Sequence, residues 1–150
     1  MNIIFTRPLI DAEDLMTNFF SSNYKIIHLP TLSINSANME PINTKEFDGL
    51  IFTSANAVRF LQLKNDEKNI KCFCVGNITE RSLRLKGFTN TVAASGTVNA
   101  LKNIILNSEK KIKNLAYLCG DVVSYDLDKD LKLSGFKVKK IINYLSLIHI

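Results

Sequence analysis

Five short segments of this 150-residue chain repeat one arrangement: an apolar run, a turn of small hydrogen-bonding residues, then an amphipathic stretch. They are FTRP (Phe5 to Pro8), the run Leu50 to Val58, CVGNIT (Cys74 to Thr79), AASGT (Ala93 to Thr97) and YLCGD (Tyr117 to Asp121). The chemistry this grammar supports is anion binding. The first turn of a helix leaves backbone N–H groups without intrahelical partners, and the macrodipole places partial positive charge there.

Ser54 or Asn56 can cap the helix that follows Thr53, and Thr97 can cap a later one, so each is a helix cap first and a carboxylate ligand second. Gly76 permits close backbone approach, although a turn that needs glycine for shape alone reads the same way. Thr53 and Asn77 sit in the same turns and complete the binding candidates there. Arg7 could meet a carboxylate bidentately, with a surface arginine beside Pro8 as the plain alternative. Asp48, Asp121 and Asp126 show no paired-acid spacing; His28 reads as a core-edge residue and His149 as part of the terminal segment 145–150. Cys72 and Cys74 alternate within an apolar run and Cys119 ends another; with no further cysteine and no suitably spaced histidine, the three read as buried thiols of a reducing cytoplasm rather than metal ligands.

These turns need a scaffold, and the apolar periodicity supplies one. Strands are expected at 2–5, 25–29, 49–53, 71–75, 91–93, 114–118 and 138–144, with helices at 8–20, 56–63, 77–85, 97–107 and 124–133. Residues 30–46 read as a connector rich in Ser, Asn, Pro and Thr. Short strands alternating with helices of about ten residues imply βαβ units and a parallel sheet covered on both faces. All strand-to-helix turns of such a sheet emerge at one edge, where ligands bind.

A composition of 46% hydrophobic and 22% charged residues suits one domain or two small ones and argues against disorder. The formal charge of +5 would suit a polyanionic ligand, but the lysines are dispersed, so no nucleic-acid stripe is expected. No apolar run approaches the ~20 residues that span a bilayer, and no basic segment precedes an apolar core at the start. A soluble, cytoplasmic protein without a membrane partner is the expectation. A nucleotide-binding or receiver-like module is the rival reading; it lacks G-x-G-x-x-G, G-x-x-x-x-G-K and an acidic cluster after the first strand.

The first strand-helix-strand is separated from the rest by the long connector, and two strands with one helix make no stable sheet alone. A missing C-terminal half would complete it. The final LSLIHI (145–150) is what CTGTCTCTTATACACATC encodes, a string resembling a transposon-end adaptor, so these six residues are expected to be a sequencing scar. The alternative is a genuine apolar terminal strand.

The segments IIFTRPLIDAEDL, HLPTLSI, FDGLIFTSANAVRFL, CFCVGNITERSLRLKGF, SGTVNALKNII, LAYLCGD and SGFKVKKIINY resemble, in order and spacing, the uroporphyrinogen-III synthase family over residues 1 to 144. The resemblance implies two flavodoxin-like parallel-sheet domains joined by two extended crossings. This chain would hold part of the first domain (1–33), all of the second (34–140) and the start of the return crossing (141–150), and would be inactive alone. It further implies a monomeric hydro-lyase of tetrapyrrole biosynthesis that closes hydroxymethylbilane to uroporphyrinogen III with inversion of ring D and loss of water. No metal or organic cofactor is implied, and hydroxymethylbilane synthase would hand over the substrate. On the same resemblance Tyr144 and Thr79 face the cleft and are the catalytic candidates. The Tyr144 phenol would hydrogen-bond or protonate the departing hydroxyl, while Thr79 would also serve its own helix start. Cys119 stands where the family often has Arg, and Leu145 and Ser146 replace the usual basic residue and Thr.

Overall fold

The alternation of short apolar strands with helices carries through the computed structural model, which describes residues 1–148. In chain order the elements are β1 (Asn2–Phe5), α1 (Leu9–Ser21), β2 (Lys25–His28), β3 (Leu32–Ser36), β4 (Gly49–Phe52), α2 (Ala55–Arg59), β5 (Lys71–Cys74), α3 (Asn77–Leu85), β6 (Thr91–Ala93), α4 (Val98–Leu106), β7 (Asn114–Gly120), α5 (Leu127–Leu133) and β8 (Lys137–Ile148). They form two units: Ser36–Tyr144, and Met1–Asn35 with the segment from Leu145 onward. The chain passes between the units along β3 and β8, which are neighbouring strands.

In the larger unit the strand order is β8-β7-β4-β5-β6, and every pair is parallel. All four residues of the central β4 are buried, as a parallel strand with both faces covered requires. Ile51, Phe73 and Tyr117 pack on one face with Leu101 and Ile105 of α4 and Leu127 of α5. Pleating turns Leu50, Phe52 and Cys72 to the opposite face, where they are equally closed off from water. Each leucine or phenylalanine in these layers contributes roughly 1.5–3 kcal/mol of burial.

The smaller unit pairs β1 with β2 in parallel register from Asn2↔Lys25 to Phe5↔His28. Phe19 of α1 lies between Phe5 and Tyr24, with ring centroids 6.0 and 5.6 Å apart. Ala12 is buried, whereas Ile4, Leu9, Ile10 and Phe20 are exposed. Two strands and a helix present more apolar surface than they can enclose, as their number predicts.

The structure corrects several expected elements. The connector at 30–46 contains β3 and a 3₁₀ turn at Thr44–Glu46. The partner of β3 lies about a hundred residues downstream, so no local pattern announced it. Helix α2 stops at Arg59 rather than 63, because Leu63 bridges to Ile42 and the Gln62 carbonyl accepts from the Ile42 amide at 2.9 Å. Lys86 also holds the Arg59 and Leu61 carbonyls, at 3.2 and 3.0 Å. Helix α5 begins at Leu127 instead of 124, and β7 runs on to Gly120. Residues 145–148 of the suspected scar continue β8; His149 and residue 150 lie outside the described residues.

Cys72, Cys74 and Cys119 are free and buried, and burial pushes their thiols up to about 12, 11 and 11. None is thiolate at neutral pH, so the native protein should resist alkylation by iodoacetamide while the urea-unfolded chain takes up three labels, a difference read by mass spectrometry. Labelling of the folded protein at the unfolded rate would contradict this burial.

The Glu80 carboxylate accepts from Thr91 Oγ1 at 2.8 Å and from Arg84 at 2.9 Å, and both bonds lower its pKa from the ordinary 4.5. A depressed carboxyl pKa stabilises the fold above the unfolded value, and that contribution is lost as pH falls through the folded one. Glu80→Gln should cost below about 1 kcal/mol at pH 7 and flatten the acid limb of a stability-pH curve measured by urea titration.

Candidate functional site

The strand order of the larger unit reverses between β4 and β7: from β4 the chain moves outward through β5 and β6, then returns to place β7 and β8 on the other side. At such a switch point the connections after the two adjacent strands leave in opposite directions and open a crevice at the carboxyl ends. A cavity of about 160 Å³ lies there, lined by Thr53 and Ser54 after β4, Tyr117 on β7, the Val122–Tyr125 loop, Val98 of α4 and Tyr144 of β8.

Six hydroxyl-bearing side chains line the cavity: Thr53, Ser54, Tyr117, Ser124, Tyr125 and Tyr144. Thr53 Oγ1 and the Tyr117 hydroxyl share a hydrogen bond of 3.1 Å. Burial pushes the Tyr117 phenol up to about 12, against the lowering effect of that bond, so it holds its proton at neutral pH. Tyr144 is 9% exposed, and its ring lies close against Gly120: a Cβ built there would stand 2.6 Å from the ring. Glycine is required at 120 by this close approach.

Tyr144 reaches that place through a bulge. Residues pair in step from Asn114↔Lys137 to Cys119↔Ile142, and then Gly120 pairs with Tyr144, leaving Asn143 unmatched. An extra residue of this kind re-aims the side chains beyond it.

The helix starts around this edge differ in what they offer. Ser54 caps α2 by accepting from the Asn56 amide, and Thr97 caps α4 by accepting from the Ala100 amide, each at 3.1 Å. Asn56 is no cap: its side-chain oxygen accepts from the Arg59 guanidinium. Helix α2 is also five residues long, which weakens any dipole effect. Gly76 is the N-cap of the nine-residue α3 and brings no capping side chain; its backbone passes beside Gly96, whose φ of 99° suits glycine. Asn77 is exposed at that start, whereas Thr79 is 4% exposed in the first turn of α3 and does not line the cavity.

After β7 the edge is acidic. Asp126 pairs with Lys129 at 2.7 Å, Asp128 with Lys132 at 3.2 Å, and Asp130 with Lys102 at 2.6 Å and with the Tyr125 hydroxyl. That junction is therefore the poorest anion seat of the four in this unit. Arg7 belongs to the smaller unit, where its side chain is exposed and its carbonyl lies 2.9 Å from His28 Nε2. Among the described residues no group of His, Cys, Asp and Glu could hold a metal ion, and no helix is long and apolar enough to cross a membrane.

Sequence reasoning did not single out Tyr117, Gly120 or Asn143. The first two lie inside the YLCGD segment, where a tyrosine and a glycine three residues apart at a strand end were the available signal; the bulge that gives Asn143 its place has no local signature.

Fold and crevice define a doubly wound α/β protein with an open crevice at the carboxyl edge of its parallel sheet. Comparison with known proteins narrows the class. The family model described as Uroporphyrinogen-III synthase HemD matches residues 14–148, and the chain belongs to that family. Among solved structures, uroporphyrinogen-III synthetase from Helicobacter pylori is similar with a TM-score of 0.64 and 23% identity, over 100% of this chain and 64% of that one. A mutant uroporphyrinogen III synthase from Thermus thermophilus gives a TM-score of 0.64 at 15% identity, over 99% of this chain and 63% of that one. These likenesses bear on fold, and this chain spans slightly under two thirds of each of those chains. No protein of curated function matches it in sequence.

Gly120→Ala should displace the Tyr144 ring, because the new methyl group and the ring cannot occupy the same space. A crystal structure of the variant, or altered near-ultraviolet dichroism from the tyrosines, reads the change; an unmoved ring would show that the close approach is not tight.

Proposed function

We propose that the protein of which this chain is part closes hydroxymethylbilane to uroporphyrinogen III, inverting ring D and releasing water. The observation that supports this most directly is the placing of the Tyr144 and Tyr117 hydroxyls with Thr53 in one crevice at the switch point, in a chain of the uroporphyrinogen-III synthase family.

The substrate is a flexible tetrapyrrole with many acetate and propionate carboxylates, so it is held by distributed donors rather than one charged pocket. Thr53, Ser54 and Asn56 stand beside the crevice. The starts of α3 and α4, with Gly76, Asn77 and Thr97, offer further seats, each worth roughly 0.3–1 kcal/mol. Arg7 supplies a guanidinium on the smaller unit. Loss of hydroxide from the bilane leaves a resonance-stabilised cation, so the protein's tasks are to hold the two ends together, exclude water and protonate the leaving oxygen.

Tyr144 is assigned that proton donation or hydrogen bond, and Thr53 and Tyr117 orient the oxygen beside it. Thr79 acts from the first turn of α3, holding that helix start in shape for a carboxylate. The reaction as assigned draws on protein groups alone. The protein is further proposed to work in the cytoplasm as a monomer, receiving hydroxymethylbilane from its synthase.

In a protein of full family length carrying this segment, Tyr144→Phe should lower kcat by about a hundredfold, the ordinary scale of general acid catalysis, while product affinity changes little. Equal loss of turnover and product binding would show that the hydroxyl only positions substrate.

A further inference from the structure

We infer that Asn143 is the positioning residue for Tyr144, fixing the phenol over Gly120 and tying it to the Thr53–Ser54 turn. Asn143 is the unmatched residue of the β8 bulge and is 0% exposed. Its Nδ2 donates to the Ala57 carbonyl of α2 at 2.7 Å, and its own carbonyl accepts from the Ala37 amide at 3.1 Å. One residue on, the Tyr144 carbonyl accepts from the Asp121 amide at 3.2 Å. The bulge is thus held on three sides, and the side chain of Asn143 provides the link to α2.

That link matters because α2 begins directly after Thr53 and Ser54, which form the wall of the crevice facing Tyr144. The Asn143 bond therefore joins the strand that carries the phenol to the helix that carries the opposite wall. Without it, β8 could pair with β7 in unbroken register, and Tyr144 would turn to the other face of the sheet. Asn143 Oδ1 has no hydrogen-bond partner despite full burial. A closed interior favours an apolar side chain over a half-satisfied amide, so the residue is explained by what Nδ2 does rather than by packing.

The inference deepens the proposed function, resting on it for what the phenol does but not for where the ring lies, and its test needs no turnover. The chain is produced with 3-fluorotyrosine, which places a fluorine on Tyr24, Tyr117, Tyr125 and Tyr144; Tyr144→Phe identifies its resonance. Asn143→Ala should shift or broaden the Tyr144 line and leave that of Tyr24, in the other unit, in place. Asn143→Leu keeps the branched shape without a donor; it guards against loss of the fold and should move the same line. An unmoved Tyr144 resonance in either folded variant would overturn the inference.

Discussion

Parallel pairing of β4 with both β5 and β7 is the constraint from which the rest follows. A strand buried on both faces needs a neighbour on each edge, and the chain meets that need by building outward through β5 and β6 before coming back to lay down β7. The reversal leaves a gap at the carboxyl ends that no crossover helix fills. Every side chain in the crevice stands where it does because of that gap: Thr53 at the end of β4, Tyr117 on β7, and Tyr144 on the strand beyond.

Within the crevice the polar groups are arranged for donation. The Tyr117 hydroxyl keeps its proton because burial outweighs its bond to Thr53. Asp126, Asp128 and Asp130, after β7, are each tied to a lysine. A multiply charged anion therefore meets hydroxyls and helix starts rather than unpaired carboxylates. Side-chain capping at α2 and α4 already satisfies one amide in each, whereas α3, with its glycine cap, has no side-chain cap.

Much of this was legible in the amino-acid sequence. The apolar tetrad at 49–52, the small-residue turns and the amphipathic stretch at 77–85 have local causes, so periodicity placed β4, α3 and β6 within a residue or two. The features that escaped depend on distant partners. β3 is a strand only beside β8, and α2 is short because Ile42 and Lys86 claim the backbone after Arg59. Thr53, Ser54 and Tyr144 do share one cavity, but Gly76, Asn77, Thr79 and Thr97 stand outside its lining. The bulge that sets Tyr144 is a matter of register between two strands, which a single strand's pattern does not contain.

The claim at the centre is that the tetrapyrrole lies across the β4–β7 switch point. A crystal structure of the larger unit's parent protein with hydroxymethylbilane or uroporphyrinogen III bound would test it directly. The account requires electron density for the ligand within hydrogen-bonding distance of Thr53, Tyr117 or Tyr144. Density confined to another edge of the sheet, with the crevice still filled by water, would contradict it.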